Sequence, residues 1–138
     1  MRAQAKVTVE QPPRATVARV EGNLDLVSLP QVERDLRAAA ARNGQAGELL
    51  AVDVTDVTYL NSAAIRLLYD LAEDLRMRRR ELRMVMSPRA PLRTLFRRLR
   101  FDTVIPVHDT IEDAIADAYP AAGEGPAEQN RPIESTRL

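Results

Sequence analysis

Segments with strand periodicity and segments with helix periodicity take turns along this chain, and that alternation restricts the fold more than any other feature. Residues 6–10 (KVTVE) and 15–21 (ATVARVE) alternate small or β-branched apolar residues with polar ones. Gln11-Pro12-Pro13-Arg14 between them reads as a proline-bearing turn, and Gly22-Asn23 ends the second strand. Ser28-Leu29-Pro30-Gln31 follows, a serine with glutamine three residues on and proline in the first turn, the pattern of a capping box at a helix N-terminus. Val32, Leu36, Ala39 and Ala40 share one face of that helix, and Asn43-Gly44 marks its stop.

The second half repeats the pattern. Residues 48–55 (ELLAVDVT) form a short, largely apolar run suited to a strand covered on both faces. A strand-to-helix junction follows at TYLNSAAIRLL, and Ala64, Leu67, Leu68, Leu71 and Leu75 then keep helical spacing to about Arg79. LRMVM (82–86) is another strand, and Ser87-Pro88 opens a helix with Leu92, Leu95, Phe96 and Leu99 inward. Residues 104–107 form a short strand, and Asp109-Thr110-Ile111-Glu112 caps a last helix carrying Ile111, Ala114, Ile115 and Ala118. From residue 120 apolar content almost vanishes, so residues 120–138 read as a disordered tail behind one domain at 1–119. The expectation is an α/β fold: a mixed, mostly parallel sheet after an N-terminal strand pair, with about four helices packed on it.

Parallel sheets collect functional groups at the carboxyl ends of their strands. The loop expected after Val54 and the turn at residues 23–27 are two such ends, which nominates a rim holding Asp25 and the Asn61-Ser62 junction.

Composition removes several chemistries. The chain has no cysteine, which excludes disulfides and thiol catalysis, and its one histidine, His108, leaves too few nitrogen ligands for a typical zinc site. His108 reads as a surface or turn residue with no triad around it. No glycine-rich phosphate loop is present, and Asp53 and Asp56 lack a nucleophilic companion, so no catalytic residue and no cofactor is expected. No apolar run approaches the length of a membrane span, and the N-terminus has no signal-like core, which reads as a cytoplasmic protein without membrane insertion. Lys+Arg and Asp+Glu both total 20, so net charge calls for no nucleic-acid partner. The charges are unevenly spread, however. Arginines crowd residues 76–100 against Glu81 alone, and acids dominate from Asp102 onward. Without interleaved aromatics the basic stretch does not suit single-stranded nucleic acid, and it reads as solvated helix faces partly paired with acids.

Four segments in order, EGNLDLVSLPQVERDL, LLAVDVTDVTYLNSAAIRLLYDL, ELRMVMSPRAPLRTLFRRLRFD and VIPVHDTIEDAI, resemble a STAS domain over roughly residues 7–118. STAS domains form the family of anti-sigma-factor antagonists and of sulfate-transporter cytoplasmic domains. Antagonists in it usually read Asp-Ser-Ser/Thr-Gly at the junction, and a partner anti-sigma factor that is also a serine kinase phosphorylates the second hydroxyl. Aligned here, that pattern falls on Asn61, Ser62, Ala63 and Ala64. The acceptor position is Ala63, which has no oxygen to receive a phosphate.

The resemblance therefore implies a protein-binding regulator docking an anti-sigma factor or serine-kinase-like protein through Asp25, Asn61, Ser62, Ala63, Ala64 and Arg66. An alternative within the family is an accessory subunit that docks the ATPase of a membrane transport complex, or a subunit of a larger signalling assembly. Ser62 itself has three readings: a helix cap, a role Asn61 fills equally well; the remaining phosphosite; or a direct partner contact. Asp25 reads either as a turn aspartate bonding its own backbone or as a rim contact.

Overall fold

The structure, a computed structural model, describes residues 5–42 and 49–119. The expected stop of the first helix at Asn43-Gly44 and the tail at 120–138 lie outside the described residues. Ten elements run in the order β1 (Lys6–Glu10), β2 (Ala15–Leu24), α1 (Leu29–Arg42), β3 (Leu49–Leu60), α2 (Ser62–Met77), β4 (Glu81–Val85), α3 (Arg93–Arg98), a 3-10 turn (Phe101–Thr103), β5 (Val107–His108) and α4 (Ile111–Ala118). The five strands form one sheet in sequence order, β1 antiparallel to β2 and every later pair parallel, which is the mixed sheet the alternation requires.

Period-two alternation sorts the strand residues between two helical layers. Ala18 and Val20 of β2, Leu50, Val52 and Val54 of β3, and Leu82, Met84 and Met86 face the main core. There they meet the four expected α1 residues, the inner face of α2, and Leu92, Phe96, Phe101 and Ile105. The odd-numbered positions Val17, Ala51 and Val85 face the other way, where Ala114 and Ile111 of α4 cover them. Polar contacts tie α1 to α2 and to the turn after it. Arg37 of α1 bonds both Glu33 and Asp74 of α2, and the buried Arg80 donates to the carbonyl of Ala40. Arg14, at the turn between β1 and β2, lies over the Tyr119 ring 4.1 Å from its centroid.

Several boundaries differ from the sequence expectation. Strand β3 does not give way to a loop after Val54 but continues to Leu60, and β2 continues past Gly22-Asn23 to Leu24. Arg19 to Leu24 pairs with Asp53 to Leu60, so β3 spends two extra residues across two register shifts. Those bulges break the alternation that marks a strand in sequence: the buried positions step from Val54 to Val57 to Leu60. Gly22 sits at the second shift with φ 96°, a conformation that a Cβ would oppose.

The third helix is shorter than its leucines imply. Residues 87–92 form turns, α3 covers only six residues, and Leu95 and Leu99 are 36% and 42% exposed. Arg100, left-handed at φ 53°, turns the chain into the 3-10 turn, so the inner face of α3 is limited to Leu92 and Phe96. Residues 104–106 are likewise not strand; β5 is Val107–His108. At its far end α2 closes with Arg79 in the left-handed region at φ 61°, the Arg79 N–H on the Arg76 carbonyl and the Arg80 N–H on that of Leu75. This is a Schellman ending with arginine where glycine is usual.

Candidate functional site

The end of β3 and the end of β2 meet at the rim the sequence nominated. The Asn61 N–H donates to the Leu24 carbonyl at 3.1 Å, which fastens the start of α2 to the last residue of β2. Asn61 has extended backbone angles, φ −94° and ψ 176°, and its Oδ1 accepts the Ala64 N–H at 2.8 Å. Asn61 is thus the cap, and the capping role weighed for Ser62 is not realised. Ser62 is the first helical residue, exposed, and its hydroxyl makes no hydrogen bond among the described residues.

Across the junction, Asp25 organises the turn that opens α1. Its Oδ1 accepts from the N–H groups of Val27 at 3.1 Å and Ser28 at 3.0 Å, and its carbonyl accepts from Leu29. The Ser28 hydroxyl donates back to the Asn23 carbonyl and accepts from the Asp25 N–H. The expected capping box between Ser28 and Gln31 therefore does not form: Gln31 bonds along the helix to Arg34 and Asp35 instead. Asp25 takes the Ser28 N–H that the Gln31 side chain would bond in a capping box, and the Ser28 hydroxyl is turned to the Asn23 carbonyl, so Asp25 fills the turn-aspartate role.

Of the remaining nominated residues, Ala63 and Arg66 are exposed beside Ser62 and line an open depression with Ile65 and Tyr69. Ala64 is 1% exposed and its methyl belongs to the main core, so the methyl it carries in place of glycine points away from the rim. The structure also brings forward residues the sequence reading passed over. Leu26 and Val27 are 80% and 73% exposed in the Asp25 turn, and Tyr59 is 52% exposed beside its ladder partner Asn23. Their signal was a Leu-Val pair between the last strand residue and the helix cap, a place where a loop has no core to fill.

Outside the rim, Arg83 of β4 gathers Glu81, His108 and Asp117. His108 is a half-buried residue of β5 and not a turn residue. A guanidinium only donates, so its approach to His108 Nε2 at 2.9 Å requires the neutral imidazole. Burial, and then the Arg83 charge, hold the His108 pKa below its ordinary value against the opposing pull of Asp117, Asp113 and Glu81. The arginine stretch is correspondingly mixed. Arg80 is buried and Arg83 nearly so, whereas Arg76 and Arg93 pair with Glu73 and Asp109 near the surface. Among the described residues no cluster of three or more His, Cys, Asp or Glu could hold a metal, and no helix is long and apolar enough to cross a membrane.

Residues 6–114 match the sequence profile of the family described as the STAS domain. The chain belongs to the STAS domain family. No curated protein matches it by sequence. Among solved structures, this STAS domain is similar to an anti-sigma factor antagonist from Mycobacterium paratuberculosis, with a TM-score of 0.71 and 23% identity over 86% of this chain and 98% of that one. It is also similar to the unphosphorylated form of the anti-sigma factor antagonist SpoIIAA, with a TM-score of 0.60 and 18% identity over 80% of this chain and 94% of that one. At these identities the likeness is one of fold. It extends over nearly the whole of each of those chains.

Proposed function

We propose that this STAS domain is a cytoplasmic, non-enzymatic regulator that acts as an antagonist of an anti-sigma factor, docking it through the rim at Asp25 and residues 61–66. The observation that carries the reading is the exposure of Leu26 and Val27 in the same turn as Asp25, joined through Leu24 to the Asn61 cap and the bare Ser62-Ala63 step. A loop that leaves two adjacent branched aliphatic side chains in water gains nothing in the free protein, and such side chains become favourable when a partner covers them. Arg66 and the free Ser62 hydroxyl supply polar contacts at the edge of that patch. Resemblance of the fold to two anti-sigma factor antagonists supports the class of partner.

The mechanism is competition. The antagonist occupies the face of the anti-sigma factor that would otherwise hold its client, and the client is released in proportion to occupancy. A phosphate at position 63 would add nearly two negative charges at the start of α2 and redirect that face, but Ala63 has no oxygen to carry one. Docking is therefore constitutive with respect to that residue, and Ser62 acts as a contact.

The test is affinity capture of the tagged protein from its source cells, with bound chains identified by mass spectrometry and the capture repeated with ATP. The expected result is a kinase-fold anti-sigma factor, retained equally with and without ATP and lost with Leu26→Asp. Stoichiometric phosphate on Ser62 with release of the partner would overturn constitutive docking. Recovery of a transporter ATPase, or equal capture by Leu26→Asp, would overturn the antagonist reading or the position of the interface.

A further inference from the structure

The opposite end of the helical layer carries a second, unrelated concentration of exposed apolar and basic side chains. The C-terminal end of α2 leads directly into the start of β4, which pairs with the start of β3 and so lies away from the junction rim, and Val104 and Pro106, which follow α3 and the 3-10 turn, come to the same end. Met77, the last residue of α2, is 77% exposed, and Leu99 and Val104 after α3 are 42% and 50% exposed. Between α2 and Val104 runs a groove of about 400 Å³ lined by Ala72, Arg76, Arg80, Glu81, Leu82, Val104 and Pro106.

The unpaired charges around it are mostly basic. Arg78, Arg79, Arg98 and Arg100 are exposed and make no ion pair among the described residues. The nearby acids are engaged, Glu73 with Arg76 and Glu81 with Arg83, which leaves Asp102 as the exposed counter-charge. Helix C-termini favour cations, but each presents only about half a charge, fewer than these arginines supply. The dipole also gives no reason for a methionine to stand in water beside them. Flexible methionine side chains with arginine are the composition of protein-binding surfaces.

We propose that this end docks an acidic protein segment bearing apolar side chains, the apolar groups entering the groove between α2 and Val104 and the carboxylates meeting the four free arginines. The charge complementarity selects the occupant. Single-stranded nucleic acid is disfavoured because no exposed aromatic stands among the arginines to stack a base. A membrane surface is disfavoured because α3 has only six residues, too short to lie along a headgroup layer, and the apolar atoms line a concavity. This surface is separate from the junction and does not depend on what binds there.

The experiment uses the full chain and a fluorescein-labelled peptide of Glu-Glu-Leu repeats, read by fluorescence anisotropy at low and at physiological salt. Expected are saturable binding that salt weakens and a loss of about tenfold in the double variant Arg78→Gln/Arg98→Gln, the effect of removing two exposed charge contacts. A loss of similar size is expected when the peptide leucines become serine. Amide NMR shifts in the wild-type protein should gather at Met77, Leu99 and Val104, a readout that holds even where a variant misfolds. Absence of binding, equal binding by the serine peptide, shifts gathered elsewhere, or tighter binding to phosphatidylserine vesicles or a DNA duplex would each overturn the proposal. So would a dimer in solution that the double variant dissolves, since a second copy would then be the occupant.

Discussion

Replacing Asn61 separates the two residues that could start α2. Its Oδ1 holds the Ala64 N–H at 2.8 Å, and that N–H also reaches the Asn61 carbonyl at 3.1 Å. Ala64 is buried, so water cannot take the place of the lost acceptor, but the second carbonyl keeps the donor from being orphaned. Asn61→Ala should therefore cost about 1 kcal/mol, the middle of the capping range and not its upper end. In a domain of this size that is a fall in melting temperature of about 4 °C. Asn61→Asp keeps the acceptor and adds a charge where the first turn of α2 has no acid, so it should gain about 0.3–1 kcal/mol at neutral pH and low salt. That gain should shrink as the pH falls toward the ordinary carboxylate value. Ser62→Ala is the control: an exposed hydroxyl without a hydrogen bond has nothing to lose, and its melting point should stay within about a degree. Thermal and urea melts followed by circular dichroism read all three. Ser62→Ala costing as much as Asn61→Ala, or Asn61→Asp no better than Ala, would refute the assignment of the cap to Asn61.

Other substitutions follow from the same reasoning. Arg79→Gly should stabilise by about 0.5–1 kcal/mol in urea melts, because a left-handed residue without a Cβ is relieved of strain that exceeds the added freedom of the unfolded chain. Gly22→Ala should cost about 1–3 kcal/mol, since φ 96° at the bulge is closed to a side chain, and hydrogen exchange near Val57 should speed up. The pH dependence is set by His108. Its pKa in the fold lies below its unfolded value, so the unfolded chain binds the extra proton first, and stability is intact above about pH 6.5 and falls as pH drops from there toward the folded value. His108→Gln removes that slope in melts taken between about pH 7 and 5; an unchanged slope would mean another group carries it.

The sheet was legible because parallel strands between two helical layers write long apolar runs, as at LLAV, and the helices write their own stripes, as in α1 and α2. What failed was local. Strand β3 reads as ending at Thr55 because its two bulges replace alternation with a three-residue step, and a bulge is defined by the neighbouring strand, which periodicity along one chain cannot see. The α3 segment failed for the opposite reason. Its leucines keep helical spacing, but residues 87–92 form turns and the helix starts only at Arg93, and nothing in Leu99-Arg100-Phe101 announces the positive φ at Arg100 that follows it.

The site was legible in position and less so in role. An oxygen-bearing pair at a strand-to-helix step says that one of the two will cap the helix but not which, because the choice turns on where the extended backbone ends. Here the Asn61 N–H is taken by Leu24, which places Asn61 outside the helix as its cap and Ser62 inside as its first residue. The same hydrogen bond makes the rim one unit, since the turn that holds Asp25, Leu26 and Val27 follows directly from Leu24. A substitution that loosens the Asn61–Leu24 contact should therefore move both the junction and the aliphatic pair, and amide exchange at Asn61 and Val27 should rise together. Exchange rising at Asn61 alone would show that the two halves of the rim are positioned separately.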